Sequence, residues 1–271
     1  MKSHKTITRA LLVLTLMSMP GLAQDADRLK SVIASDTRTP KNVVRDNYRR
    51  PFETLMFLGI EPGMTVVEIW PGSGWYSEIL APYLAGTGLF YAASYDQEST
   101  SKYVRRTLKA YSKKFIGKPG IYGEVILTEL SSTKTDIAPP GSADMVLTFR
   151  SVHSWMKRGY EAVIFDAMYQ ALKPGGVLGV VEHRGDPDVW QDPQALSGYV
   201  NEEYVIDLAE EAGFTLAESS EVNANPKDTA DHPEGVWTLP PTLRLKDQDR
   251  AYYMDIGESD RMTLKFIKPD E

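Results

Sequence analysis

The chain has 271 residues, 42% of them hydrophobic and 25% charged, which suffices for one globular domain with a sizeable core and excludes a disordered chain. Its formal charge is −7, and an acidic surface repels phosphate backbones, so nucleic acid is not an expected partner. It has no cysteine, which excludes disulfides, thiolate metal sites and a cysteine nucleophile.

In chain order, Lys2, Lys5 and Arg9 precede an apolar stretch over 10–19, then Pro20-Gly21 and the small residues of Gly21-Leu22-Ala23. This pattern predicts a signal peptide over 1–23, cleaved near Ala23, and hence an exported protein, periplasmic or secreted. An uncleaved anchor is the alternative, but the stretch is short of the ~20 residues a membrane span needs. No later segment is long and apolar enough to cross a bilayer. Cleavage would leave 27 basic against 37 acidic residues, a formal charge of −10.

Residues 24–271 read as a single domain. The spacing predicts helices over 25–35 and 42–60, the second bent at Pro51, and a turn at Pro62-Gly63. Strands then alternate with helices: strand 64–70, helix 75–84, strand 89–93, helix 100–115, strands 124–130 and 144–149, helix 161–172 and strand 177–182. A helix over 202–212, a strand over 214–221 and a last strand over 262–267 complete the pattern, with 223–250 as an elaborated loop. Short apolar strands between helices predict an α/β fold, a Rossmann-like doubly wound, mostly parallel seven-stranded sheet with helices on both faces.

The most informative segment is Val66-Val67-Glu68-Ile69-Trp70-Pro71-Gly72-Ser73-Gly74-Trp75. A buried strand ends in an acidic residue, a Gly-x-Gly turn follows, and a helix begins. Ligands of open α/β sheets bind outside the carboxyl ends of the strands, where glycines admit close backbone approach and a helix start offers free N–H groups. Taken alone, Gly-x-Gly is also the mark of a plain tight turn.

With that loop, the second strand over 89–96, Ser142-Ala143-Asp144-Met145-Val146 and Leu172-Lys173-Pro174-Gly175-Gly176-Val177-Leu178, the chain resembles the class I S-adenosylmethionine (SAM)-dependent methyltransferases over roughly 50–268. Its fuller wording is similar to a group of exported bacterial methyltransferases: Tyr48-Arg49-Arg50-Pro51, Pro71-Gly72-Ser73-Gly74-Trp75-Tyr76, Phe149-Arg150-Ser151-Val152-His153-Ser154-Trp155 and Ser259-Asp260-Arg261. The resemblance implies SAM as cofactor, held by Glu68, Trp70, Gly72, Ser73 and Gly74, with Ser94 or Asp96 on the ribose. Two departures stand out. Trp70 occupies a position where the family has glycine, and the acidic residue expected at the end of the second strand is Ser94 by register, with Asp96 two residues on. By the same resemblance Glu129 lies near the adenine.

Methyl transfer needs the acceptor oriented and, where necessary, deprotonated. Catalytic candidates are therefore sought after the fourth and fifth strands: Arg150 and His153, then Glu182, His183 and Arg184. His153 is the best base candidate because histidine titrates near working pH. A histidine tied to a loop carbonyl is the plainer alternative. Arg150 and Arg184 can bind an anionic substrate or pair with Glu182, the pairing suiting Arg184 better. His153, His183 and His232 have no ligand-like spacing, so no metal is expected.

Three functions follow. The first is an exported SAM-dependent methyltransferase acting on a small molecule or an envelope component. The second is a non-catalytic ligand-binding protein on the same fold, with Trp70 partly filling the pocket. The third is a hydrolase or lyase using His153 and Glu182. Nothing in the sequence speaks to oligomeric state.

Overall fold

A computed structural model describes residues 20–270, so the predicted leader over 1–23 lies outside the described residues except for its last four. Helix α1 (Pro20–Ile33) begins five residues before the expected start. The helix expected over 42–60 is instead three short ones: α2 (Pro40–Val43), α3 (Asp46–Arg49) and α4 (Pro51–Leu58). The break falls at Arg50, whose φ of 37° and ψ of 59° are left-handed. A residue before proline is disfavoured in the right-handed helix, so Pro51 breaks the helix where a mere bend was expected.

The alternating part follows as β1 (Thr65–Ile69), α5 (Ser77–Leu84), β2 (Leu89–Ser94), α6 (Lys102–Phe115), α7 (Pro119–Tyr122), β3 (Val125–Glu129), β4 (Ala143–Phe149), α8 (Val152–Met156), α9 (Glu161–Ala171) and β5 (Leu172–His183). The chain ends with α10 (Glu202–Glu211), β6 (Thr215–Ser220), α11 (Arg250–Ile256) and β7 (Arg261–Ile267). The short helices α7 and α8, and α11, which starts at the last residue of the expected loop, carry too few periodic residues to be read from sequence. Strand β5 starts at Leu172 where a turn into Val177 was expected. A register shift between Ala143 and Met145 absorbs Lys173–Gly176 into the ladder as an irregular strand start, with Gly175 at φ 72°.

The seven strands lie in the order β3-β2-β1-β4-β5-β7-β6. The first five are parallel, and β7 runs antiparallel to both β5 and β6. The fold is therefore the expected α/β doubly wound, mostly parallel sheet. Successive residues of β1 point to opposite faces, so Val67 and Ile69 join Trp155, Phe165 and Met168 in one core while Val66 joins Leu55, Ile79 and Phe115 in the other. Strand order reverses at β1/β4, which places a crevice at the carboxyl ends of these two strands. Among the described residues, no helix is long and apolar enough to cross a membrane.

Candidate functional site

The crevice opens as a cavity of about 360 Å³ whose wall includes Glu68, Trp70, Gly72, Ser73, Arg150, His153 and His183. That volume is at the low end for small-molecule sites, roughly 300–1,000 Å³. Gly72 and Gly74 have φ of 58° and 78°, the left-handed region that glycine alone enters freely. They serve different ends. A Cβ on Gly72 would meet only the Trp70 carbonyl, at 4.0 Å, whereas one on Gly74 would lie 2.2 Å from the Phe115 ring. Gly72 thus leaves the cavity wall bare, and Gly74 lets α6 pack on the loop.

Glu68 is buried at the end of β1 and accepts a hydrogen bond from Ser77 Oγ at 2.5 Å; Tyr111 donates to Ser77 in turn, at 3.0 Å. Burial, against weaker opposing pulls from Ser77 and Arg150, raises its carboxyl to about 8, so it is protonated at neutral pH.

Trp70 is also left-handed, at φ 46°, which costs a non-glycine residue roughly 1–2 kcal/mol. Its indole Nε1 donates to the Leu130 carbonyl at 3.1 Å, beyond the end of β3. The ring meets Tyr95 with centroids 4.8 Å apart and the edges of Trp155 and Tyr160 at 6.0 and 6.4 Å, and Arg158 lies 5.5 Å over it. At the same strand tips, Lys134 Nζ sits 2.7 Å from both Asp96 and Glu129. Ser94, Asp96 and Glu129 stand apart from the cavity wall, and of the β2 end only Tyr95 reaches it.

On the opposite side, His153 follows Val152 at the start of α8. Its Nδ1 lies 3.1 Å from Glu182 Oε1, and Glu182 also accepts from the backbone N–H of Val152 at 2.6 Å and of His183 at 2.8 Å. The carboxylate of the fully buried Glu182 thereby fixes the imidazole with Nδ1–H as donor, leaving Nε2 as the acceptor. His183 Nδ1 lies 2.5 Å from Ser259 Oγ. Burial first, then His153, Arg150, Arg261 and Arg49, hold His183 well below the usual histidine range. Arg184 does not pair with Glu182; it is engaged by Asp260 at 2.8 Å and Glu221 at 2.7 Å, outside the cavity.

The fold thus gathers His153, Glu182 and His183, whose ligand atoms lie within 4.8 Å of one another, a metal-like group that their sequence spacing concealed. Glu182 has both oxygens engaged by N–H donors, and three guanidinia bear on His183. A carboxylate so saturated positions its neighbours, and a positive field disfavours a cation.

Sequence reading did not single out as site residues the arginines at the cavity's third edge. Arg45, Arg49 and Arg261 converge on one carboxylate, Glu258, at 2.6, 3.1 and 3.3 Å. Burial alone would raise Glu258; Arg49, Arg261 and Arg45 outweigh it and hold the carboxyl at about 2. Arg49 lies 4.7 Å over the Trp75 ring, with Nη1 and Nη2 buried and unpartnered among the described residues. Arg150 follows β4 at φ 59°. Burial, with Arg261 and Arg45, lowers it to about 10 against the opposing pull of Glu258, and among the described residues no side-chain hydrogen bond supports it. Arg150 was a candidate from the sequence; Arg49 and Arg261 were marked there only by the wording of Tyr48–Pro51 and Ser259–Arg261, and Arg45 by nothing. The expected loop over 223–250 supplies Val236, Trp237, Pro240, Pro241 and Thr242 to the wall.

No protein-family model and no curated protein matches the chain. Solved structures do. A SAM-dependent methyltransferase from Aquifex aeolicus is 19% identical, with TM-score 0.53, over 73% of this chain and 93% of that one. The [4+2]-cyclase SpnF is 14% identical, with TM-score 0.57, over 93% and 95%. Phosphoethanolamine N-methyltransferase 2 from Haemonchus contortus, crystallised with SAM, is 14% identical, with TM-score 0.50, over 91% of this chain and 57% of that one. The fold is that of the SAM-dependent methyltransferases.

SAM is a two-ended ligand. Its amino-acid end carries an ammonium and a carboxylate, and its nucleoside end carries ribose hydroxyls and adenine. The Gly72–Ser73 loop and the open cavity suit the first end as they stand. For the second end, the methyltransferase fold offers the tips of β2 and β3, and here the Trp70 ring lies against Tyr95 and Leu130. The nucleoside end would reach those tips only with the Trp70 side chain turned away from Leu130.

Proposed function

We propose that the chain is a SAM-dependent methyltransferase acting on a small molecule, and that it works in exported form after loss of its leader near Ala23. The observation that carries the enzymatic reading is the His153–Glu182 pair, set at 3.1 Å in the same cavity as the Gly72 loop of a methyltransferase fold. When bound, SAM would supply an activated methyl group. The chain's own work is then to hold the acceptor and take its proton. His153 Nε2 accepts that proton, and Glu182 stabilises the resulting imidazolium without moving, because Val152 and His183 N–H groups hold it. Trp237 and the Pro240-Pro241 turn cover the cavity and limit water.

Calorimetric titration with SAM and S-adenosylhomocysteine tests the reading: binding of either supports it, and no heat together with no thermal shift removes it. With an acceptor in hand, His153→Ala is expected to lower turnover about 10²- to 10⁴-fold while leaving cofactor affinity unchanged. The export component rests on Lys2, Lys5, Arg9 and the apolar stretch after them. N-terminal sequencing of protein recovered from the producing cell's periplasm or medium checks it; a retained Met1 would overturn it.

A second reading is favoured by Trp70 itself. With Trp70 bonded to Leu130 and Asp96 bonded to Lys134, a non-catalytic protein binding a ligand smaller than SAM in the remaining cavity uses the structure as it stands. Fold alone does not decide between the two, as the cyclase among the neighbours illustrates. Tight binding of S-adenosylhomocysteine with Trp70 displaced would eliminate it.

A further inference from the structure

The guanidinia of Arg45, Arg49 and Arg150 line one edge of the cavity, and Arg261, off the wall, shares with the first two a single carboxylate. Glu258 takes one contact each from Arg45, Arg49 and Arg261. Among the described residues the Arg150 side chain makes no hydrogen bond or ion pair, Glu258 acting on it only from beyond ion-pair distance, and Arg49 presents two buried, unpartnered nitrogens. Glu68, the other carboxyl on the wall, is uncharged at neutral pH, so it does not offset them. Buried guanidinium groups left unanswered are costly, and arginine's planar fork matches carboxylate and phosphate oxygens. Arg150 is moreover held in the left-handed region, a backbone conformation that persists where the surroundings demand it.

We infer that Arg49 and Arg150, flanked by Arg45, form a seat for a carboxylate or phosphate group carried by the molecule on which the protein acts. The assignment to the acceptor, as opposed to the cofactor, rests on the methyltransferase reading and on charge. The amino-acid end of SAM is a zwitterion, and its sulfonium makes the whole molecule cationic, so it adds positive charge to a cavity that already has an excess. An anionic acceptor supplies the missing charge, and each ligand then improves the other's binding. A small anion bearing a nucleophile would sit between Arg150 and His153, both on the β4 side of the wall.

The test is titration of inorganic phosphate and of malonate into the purified protein, followed by calorimetry or by NMR of the arginine side chains. Saturable binding of either anion is expected, weakened at least tenfold in Arg150→Gln and in Arg49→Gln and unchanged in Arg106→Gln, an exposed arginine on α6. Arg150→Gln keeps the test sound if Arg49→Gln fails to fold, because the one hydrogen bond of Arg150 among the described residues is its backbone N–H to Val181, which glutamine retains. Absence of saturable binding, or equal losses in all three variants, overturns the seat. Repeating the titration with saturating S-adenosylhomocysteine separates the two sources of anion. Phosphate affinity kept or raised supports an acceptor seat, and competitive displacement reassigns it to the cofactor's carboxylate and overturns the inference. Anion binding without any SAM binding would leave the seat standing and remove the methyltransferase reading instead.

Discussion

At the tips of β2 and β3 the charged groups are tied together: Lys134 lies 2.7 Å from both Asp96 and Glu129 and 3.5 Å from Glu98, and the Trp70 ring packs on Tyr95 and bonds Leu130, the residues next to Asp96 and Glu129. On the arginine side of the cavity, by the tip of β4 and the N-terminal helices, Arg45, Arg49 and Arg261 share Glu258, while the Arg150 side chain has no ion-pair partner among the described residues. One half is closed by local contacts and the other is left wanting an anion. Charge left unsatisfied in a buried place is the stronger sign of an absent ligand, because folding alone has no reason to keep it.

Removing the one answering carboxylate is the most drastic way to break the contrast. Glu258→Ala would leave Arg45, Arg49 and Arg261 uncompensated, and loss of one partner from a buried charge cluster costs about 3–5 kcal/mol. A denaturant melt measures it, and phosphate should restore part of the loss if the anion seat is real. The pH dependence has a definite sign. A carboxyl held at about 2 from an ordinary 4.5 contributes stability above pH 4.5 that is lost as pH falls towards 2, worth about 3 kcal/mol in all.

Glu68 is expected to show the opposite sign. Its carboxyl, raised from 4.5 to about 8, favours folding fully below pH 4.5, and that contribution is lost as pH rises towards 8. At pH 7 the loss is on the order of 3 kcal/mol. Glu68→Gln keeps the hydrogen bond geometry with Ser77 without the ionisation, so it should stabilise the protein at pH 7 by up to that amount and change little at pH 4. Equal effects at both pH values would show that Glu68 is charged in the fold.

The closed half is tested by Trp70→Gly, which restores the residue type that a left-handed turn prefers and empties the space against Leu130. S-adenosylhomocysteine should bind about tenfold more tightly, a gain of roughly 1.4 kcal/mol. Unchanged affinity would mean that the ring already swings aside at little cost, and weaker affinity would make Trp70 a ligand contact.

These residues also show where sequence reading reaches its limit. The parallel sheet was legible because buried strands alternate with amphipathic helices, and Trp70 was legible as an oddity because glycine is the residue its backbone wants. What Trp70 touches was not, since Leu130 lies across the sheet on another strand end. The trap on Asp96 depends on Lys134, in a loop whose course no periodicity dictates. Arg49 and Glu258 meet only because β7 folds back beside β5, placing the segment before it against the N-terminal helices. His153 and Glu182 were each visible at the end of a strand. Their pairing required the parallel β4–β5 register, and their approach to His183 came with it.

The smallest expected effect sharpens the comparison most finely. Lys134→Ala frees Asp96 and Glu129 on a partly exposed surface, so stability should scarcely change. Ligand affinity should scarcely change either while the Trp70 ring stays bonded to Leu130 and packed on Tyr95. Combined with Trp70→Gly, however, Lys134→Ala releases Asp96 to meet ribose hydroxyls, and S-adenosylhomocysteine affinity should rise a further two- to fivefold or so. The double-mutant cycle carries the decision. A gain seen only in the double variant shows that Asp96 lies on the path Trp70 blocks; a gain from Lys134→Ala alone shows that the nucleoside already reaches Asp96 past the ring; and no gain in either shows that the β2 tip holds no ribose.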